Sequence, residues 1–206
     1  LAAKKILLVI DVQNDFCEGG ALVVKNADDV VPVINELIAK GNYDIVIATK
    51  DWHPPDHVSF QPEQIGKAHC VQGTKGAELH PALNHAAITY VQHKGMERDV
   101  DCNSAFRDND GRNLTGLSDY IRTQAGEDAE IHICGLVTNR CVKLSALDAR
   151  ELLPNTKIAF IEDASRGTRI ESIIKAKKEM QEAGIEITHS RAVLPDSPAP
   201  VGLPGR

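Results

Sequence analysis

The chain has 206 residues, 42% of them hydrophobic, with a formal net charge of −6 at pH 7. That length suits one ordinary domain with a full hydrophobic core. Its acidic balance, spread through the sequence, excludes the basic surface that phosphate backbones require, and no apolar run reaches the length of a membrane span.

Leu1–Lys5 leads straight into the first predicted strand, Lys5–Ile10, so no signal peptide is expected in this stretch. Ala27–Lys40 carries Val30, Val31, Val33, Ile34, Leu37 and Ile38 in a helical stripe that stops at Gly41. Asp44–Thr49 is the second strand. Pro54–Pro81, polar and rich in His, Pro and Gly, breaks the rhythm, and long loops inside compact domains are usually functional when they are ordered. Strand Ile88–Gln92, helix Leu114–Ala125 and strand Glu130–Cys134 follow. Next come helix Asn139–Leu153, strand Lys157–Ile161, helix Arg169–Ala183 and strand Ile185–Thr188, with Gly126 and Gly184 at C-cap positions. Several strands are continuous apolar runs, as strands buried on both faces of a parallel sheet should be. The expected fold is therefore α/β, a three-layer sandwich with a six-stranded, mainly parallel sheet flanked by helices. Residues 1–190 form a single domain, and 191–206 is a Pro- and Gly-rich tail expected to run over the surface or reach a neighbouring subunit.

Parallel sheets present ligands at the carboxyl ends of their strands. Asp11 follows the first strand, Asp51 and His53 the second, Lys94 the third, and Cys141 the fourth. Four consecutive strands thus deliver reactive groups to one edge. A carboxylate, an ammonium and a thiol together make a complete acyl-transfer apparatus. Cys141, in the first turn of a helix, is expected to have a lowered pKa from the helix dipole, lowered further by Lys94. Singly, each of the three has a blander reading: a packed thiol, a turn-capping carboxylate, a solvated lysine. Asp51, His53, His57 and His69 form a second constellation, three imidazoles and a carboxylate that suit Zn, Fe or Mn. His80, His85, His93, His132 and His189 lack such company and are expected to be structural or exposed. The five cysteines, Cys17, Cys70, Cys102, Cys134 and Cys141, make no regular disulfide framework and fit a reducing cytoplasm.

Taken in order, Val9-Ile10-Asp11-Val12-Gln13-Asn14-Asp15-Phe16 with Gly19-Gly20, Thr49-Lys50-Asp51-Trp52-His53 and His69-Cys70-Val71-Gln72-Gly73-Thr74 form the first half of a pattern. Lys94-Gly95, Ser104-Ala105-Phe106 and Gly135-Leu136-Val137-Thr138-Asn139-Arg140-Cys141-Val142 complete it. The set resembles the nicotinamidases of the isochorismatase-like cysteine hydrolases. The resemblance implies Asp11, Lys94 and Cys141 as the catalytic triad, and Asp51, His53, His57 and His69 as ligands of one divalent metal, zinc first, with Fe or Mn as alternatives. It implies an oxyanion hole from the backbone N–H groups of Thr138 and Cys141, with a cis peptide bond just before Thr138. Phe16, Trp52 and Val137 are the implied substrate contacts, the substrate is a small molecule, and the protein a homo-oligomer. The implied reaction hydrolyses nicotinamide to nicotinate and ammonia in NAD salvage. Two positions depart from the pattern: Gly66 stands where Trp is usual, and Asn103 where Tyr is usual. They keep open a relative acting on another small amide or carbamoyl compound. A non-catalytic metal-binding scaffold is the third reading, and the intact triad argues against it.

Overall fold

The computed structural model describes residues 2–195. Six strands, β1 (Lys5–Ile10), β2 (Ile45–Asp51), β3 (Tyr90–Lys94), β4 (Glu130–Leu136), β5 (Lys157–Arg166) and β6 (Glu186–Thr188), form one sheet in the order β3-β2-β1-β4-β5-β6. Every pairing is parallel. The helices are α1 (Val30–Lys40), α2 (Leu117–Ala125), α3 (Lys143–Leu152), α4 (Ile170–Glu182) and a single turn, α5 (Ser190–Val193). The sequence placed all six strands, but β2, β3, β4 and β5 each run beyond their expected ends. The last turn, α5, lies where the tail was expected to begin; residues 196–206 of that tail lie outside the described residues. No helix among the described residues is long and apolar enough to cross a membrane.

Alternation along β1 builds both cores at once. Ile6, Leu8 and Ile10 face one way and pack with Phe106, Leu117, Ile121, Val142, Ala146 and Phe160. Leu7 and Val9 face the other way and pack with Ile34, Leu37, Val46, Ala48 and Ile161. A central parallel strand has no solvent face, so the continuous apolar run is what the position demands. Burying each such side chain contributes roughly 1.5–3 kcal/mol relative to exposure.

The strand order reverses between β1 and β4. In open parallel sheets that is where the first crossovers leave in opposite directions and open a crevice at the carboxyl edge. Gly135 lets β4 lie close against β1 there. A Cβ at Gly135 would stand 2.2 Å from the Ile10 carbonyl oxygen, and its φ of +110° suits only glycine. The β4–β5 register shifts between Ile133 and Gly135, so the edge is locally distorted beside the crevice.

Candidate active site

Asp11 is the first residue beyond β1, fully buried, with φ at +49°. A left-handed conformation is costly for a non-glycine residue, and Asp is among the few that tolerate it. Thr49 of β2 holds it: the Thr49 hydroxyl donates to Asp11 Oδ1 at 2.5 Å, and the Asp11 N–H donates back to Thr49 Oγ1 at 3.1 Å. Lys94 ends β3 directly beside Asp51, which ends β2. Its side chain is enclosed, with Nζ 2.5 Å from Asp51 Oδ1, 2.9 Å from Asp11 Oδ2, and donating to the Cys102 carbonyl at 3.0 Å. The same Nζ lies 3.8 Å from Cys141 Sγ. The structure thus brings Asp11, Lys94 and Cys141 together. Asp11 Oδ2, although within ion-pair range of Lys94, is buried with no aligned hydrogen-bond donor.

Cys141 belongs to a wide five-residue turn, Thr138–Val142, that joins β4 to α3 through a Val142 N–H to Val137 carbonyl bond of 3.2 Å. Such π-type turns recur at functional sites. The expected depression of its pKa does not hold. Burial pushes the Cys141 thiol well above its ordinary range, and Lys94 only partly opposes this. Of the two carboxylates around Lys94, burial raises Asp11 to about 6 despite the neighbouring ammonium. Burial also presses upward on Asp51, but Lys94 and His53 outweigh it and hold that carboxyl well below the usual range. Burial would lower Lys94, yet Asp11 and Asp51 keep it an ammonium. One carboxylate is therefore permanently charged and the other is able to exchange a proton near neutrality.

The second constellation resolves into two overlapping groups, Asp51 with His53 and His69, and His53 with His57 and Asp101. Hydrogen bonds at Nδ1 distinguish them. His53 Nδ1 donates to the Gly95 carbonyl at 2.7 Å, and His69 Nδ1 to the Lys67 carbonyl at 2.8 Å. Both rings then keep the Nε2 lone pair free, the orientation metal-bound imidazoles normally take. His57 is held differently: its Nδ1 lies 2.7 Å from the Ser59 hydroxyl and 3.3 Å from the Ser59 backbone N–H, while Nε2 faces the Val100 carbonyl at 3.3 Å. Its ring stacks on His53 with centroids 4.0 Å apart. The four residues grouped in the sequence, Asp51, His53, His57 and His69, thus lie together around His53, and the chemistry of the set fits a divalent ion. Gly95 is required here, because a Cβ would lie 2.5 Å from the His53 ring.

A cavity of about 600 Å3 opens onto Cys141, Asp51 and His69. Phe16 and Val137 line it, as expected. Trp52 does not. Side chains alternate along an extended chain, so Trp52 leaves on the opposite side from Asp51 and His53, and Lys50 lies 4.4 Å over its ring. Thr138 lines a separate hollow with Lys25 and Arg166. The cis bond joins Leu136 to Val137, one residue earlier than the pattern placed it. Asn103 reaches the thiol, its Oδ1 3.8 Å from Cys141 Sγ. Gly66 is exposed with φ at +73°, and Gln64 and Ile65 line the cavity in its neighbourhood, so a tryptophan at Gly66 would be strained.

Several supporting residues went unnoticed in the sequence. Gln13 is fully buried and clamps the end of β2, accepting the Asp51 N–H and donating to the Asp51 carbonyl, each at 2.8 Å. Asp15 accepts the Cys70 N–H at 2.7 Å and so fixes the turn that carries His69. Asp101 lines the cavity near His57. Gln13 and Asp15 lie inside the quoted Asp11–Phe16 segment, the signal that could have found them. His80 has company that was not expected, pairing with Asp28 at 3.1 Å beside Cys17, but its Nδ1 accepts the Ala82 N–H and the ring serves to tie loops.

A family model described as Isochorismatase domain matches residues 5–192. The nicotinamidase of Escherichia coli K12 is 41% identical over 185 residues, covering 81% of this chain and 85% of that protein. A solved nicotinamidase/pyrazinamidase from Acinetobacter baumannii superposes with a TM-score of 0.85 at 35% identity, covering 94% of this chain and 99% of that one. The pyrazinamidase of Pyrococcus horikoshii, solved in complex with zinc, gives 0.76 at 34% identity, with 90% and 99% covered.

Replacing Lys94 by Ala leaves two buried carboxylates facing each other without a cation. The expected loss of stability is about 3–5 kcal/mol, read from the urea midpoint. An unchanged midpoint would show that the ion cluster contributes nothing to folding.

Proposed function

Because the chain belongs to the isochorismatase family and is a nicotinamidase-type amidohydrolase, we propose that it converts nicotinamide and water to nicotinate and ammonia through a Cys141 thioester, returning the pyridine ring to NAD synthesis. The observation that carries this reading is the buried Asp11 carboxylate, with an oxygen lacking any aligned donor, held by the same Lys94 that stands 3.8 Å from the Cys141 thiol.

The thiol is the resting form, so the nucleophile needs a base at the moment of attack. Asp11 takes the Cys141 proton as sulfur bonds to the amide carbon and the carbonyl electrons move to oxygen. Val137 and Cys141 border the cavity, and their backbone N–H groups receive that oxyanion, with Val137 in place of Thr138. Collapse expels the nitrogen, which leaves as ammonia with the proton held by Asp11. Water then attacks the thioester, Asp11 takes its proton, the carbon–sulfur bond breaks and the thiol is restored. Lys94 stays charged throughout and steadies Asp11 as its charge changes.

Asp51, His53 and His69 would hold one divalent ion, zinc by the likeness to the Pyrococcus horikoshii enzyme. When bound, it supplies a Lewis acid at the ring end of the cavity. His57 supports His53 by stacking and caps its own turn through Ser59.

Ammonia release from nicotinamide tests the reading, and Cys141→Ala should lower turnover by about a millionfold while the fold persists. A variant that still turns over would remove Cys141 as nucleophile. The pH profile tests the base. Asp11 must be unprotonated to accept a proton, and its pKa is raised to about 6, so kcat/KM should fall about tenfold per unit as pH drops below that value. A flat profile down to the ordinary Asp range would assign the base elsewhere. Elemental analysis separates the imidazoles: His69→Ala should lose the metal, and His57→Ala should keep about one ion per chain. Metal loss in both variants would return His57 to the ligand set.

A further inference from the structure

The cavity at Cys141 is larger than a single aromatic ring with one carboxamide requires. Its volume of about 600 Å3 lies within the range of sites that enclose drug-sized ligands. The same walls that carry Cys141, Phe16 and His69 also carry Val137, Asn139, Arg140 and Arg169. The cavity holds charges of both signs. Its acids, Asp51 and Asp101, group with the imidazoles. Its guanidinium groups, Arg140 and Arg169, are exposed, in a protein whose net charge is −6.

Arg107, Arg122 and Arg166, by contrast, are engaged with Asp148, Asp119 and Asp29. Among the described residues, no carboxylate pairs with Arg140 or Arg169, and no side-chain hydrogen bond involves either. A guanidinium left free at a cavity rim offers a planar fork that matches a carboxylate with two parallel hydrogen bonds.

We propose that the preferred substrate is an aromatic carboxamide carrying a second, carboxylate substituent, which Arg140 and Arg169 bind. The inference rests on the amidohydrolase reading of the same cavity and names the substrate class it takes. Asn103 suits that class, because a short polar side chain beside Cys141 leaves width for a substituted ring. The chemistry at Cys141 is unchanged: the carboxamide C–N bond breaks, water supplies the new C–O bond, and the distal carboxylate leaves with the product acid.

The test compares ammonia release by the metal-loaded enzyme from nicotinamide, dinicotinic acid monoamide and the methyl ester of that monoamide. The ester has nearly the same size without the charge. The expected result is a KM for the monoamide about three- to tenfold below that for the ester, a modest factor because rim charges are screened. The advantage should shrink with added salt and vanish in the double variant Arg140→Gln/Arg169→Gln. Equal values for the two compounds, or an advantage that survives in the double variant, would overturn the proposal while nicotinamide turnover leaves the underlying reading intact. Ammonia from none of the three overturns that reading, and the proposal with it.

Discussion

A single buried ammonium holds the centre of this molecule together. Lys94 lies between Asp11 and Asp51, and among the described residues neither carboxylate has another cation as close. An isolated buried charge is expensive, and such a group normally neutralises itself instead. Placed between two acids, Lys94 keeps its proton and divides their behaviour: Asp51 remains an anion and Asp11 is left able to titrate. The sheet makes this possible. Asp51 and Lys94 are register partners at the ends of adjacent parallel strands, and Asp11 emerges from the next strand over.

The two halves of the site meet in Asp51. One of its oxygens faces Lys94 and the other lies 3.7 Å from His53 Nε2. The imidazole group and the thiol group are therefore adjacent regions of one electrostatic unit. Gln13 secures this position: its amide holds both backbone groups of Asp51 and also donates to the Ala77 carbonyl. Small displacements of that carboxylate would disturb both groups.

The sequence made legible whatever depends on strand periodicity and on the rule that reactive groups gather at carboxyl ends. Asp11, Lys94 and Cys141 are found that way, since Asp11 and Cys141 follow buried apolar runs and Lys94 closes the third strand. What depended on side-chain direction or tautomer was less accessible. Trp52 lies beside two site residues in sequence, yet alternation along an extended chain sends it to the opposite side. His57 looks like His53 and His69 in the sequence, yet its Nδ1 faces Ser59 and its Nε2 the Val100 carbonyl. The sign of the Cys141 shift was misjudged for a related reason: a cation and a helix start can be read from sequence, but complete burial outweighs them. The loop containing Gly66 was the least legible region, because its backbone conformation follows from tertiary contacts and not from any period.

The five thiols occupy unequal positions. All are free and buried, but Cys141 alone borders the cavity; Cys102 lines a smaller hollow of about 170 Å3 beside Gly95, and Cys17, Cys70 and Cys134 are packed into the interior. Reagent access, more than intrinsic acidity, will then decide which sulfur reacts first with an electrophile. A small uncharged alkylating agent shaped to enter the cavity becomes an active-site titrant, consuming one equivalent per competent chain. Bulky or membrane-impermeant maleimides, by contrast, would leave the folded protein unmarked, so the difference between the two counts the folded fraction of a preparation.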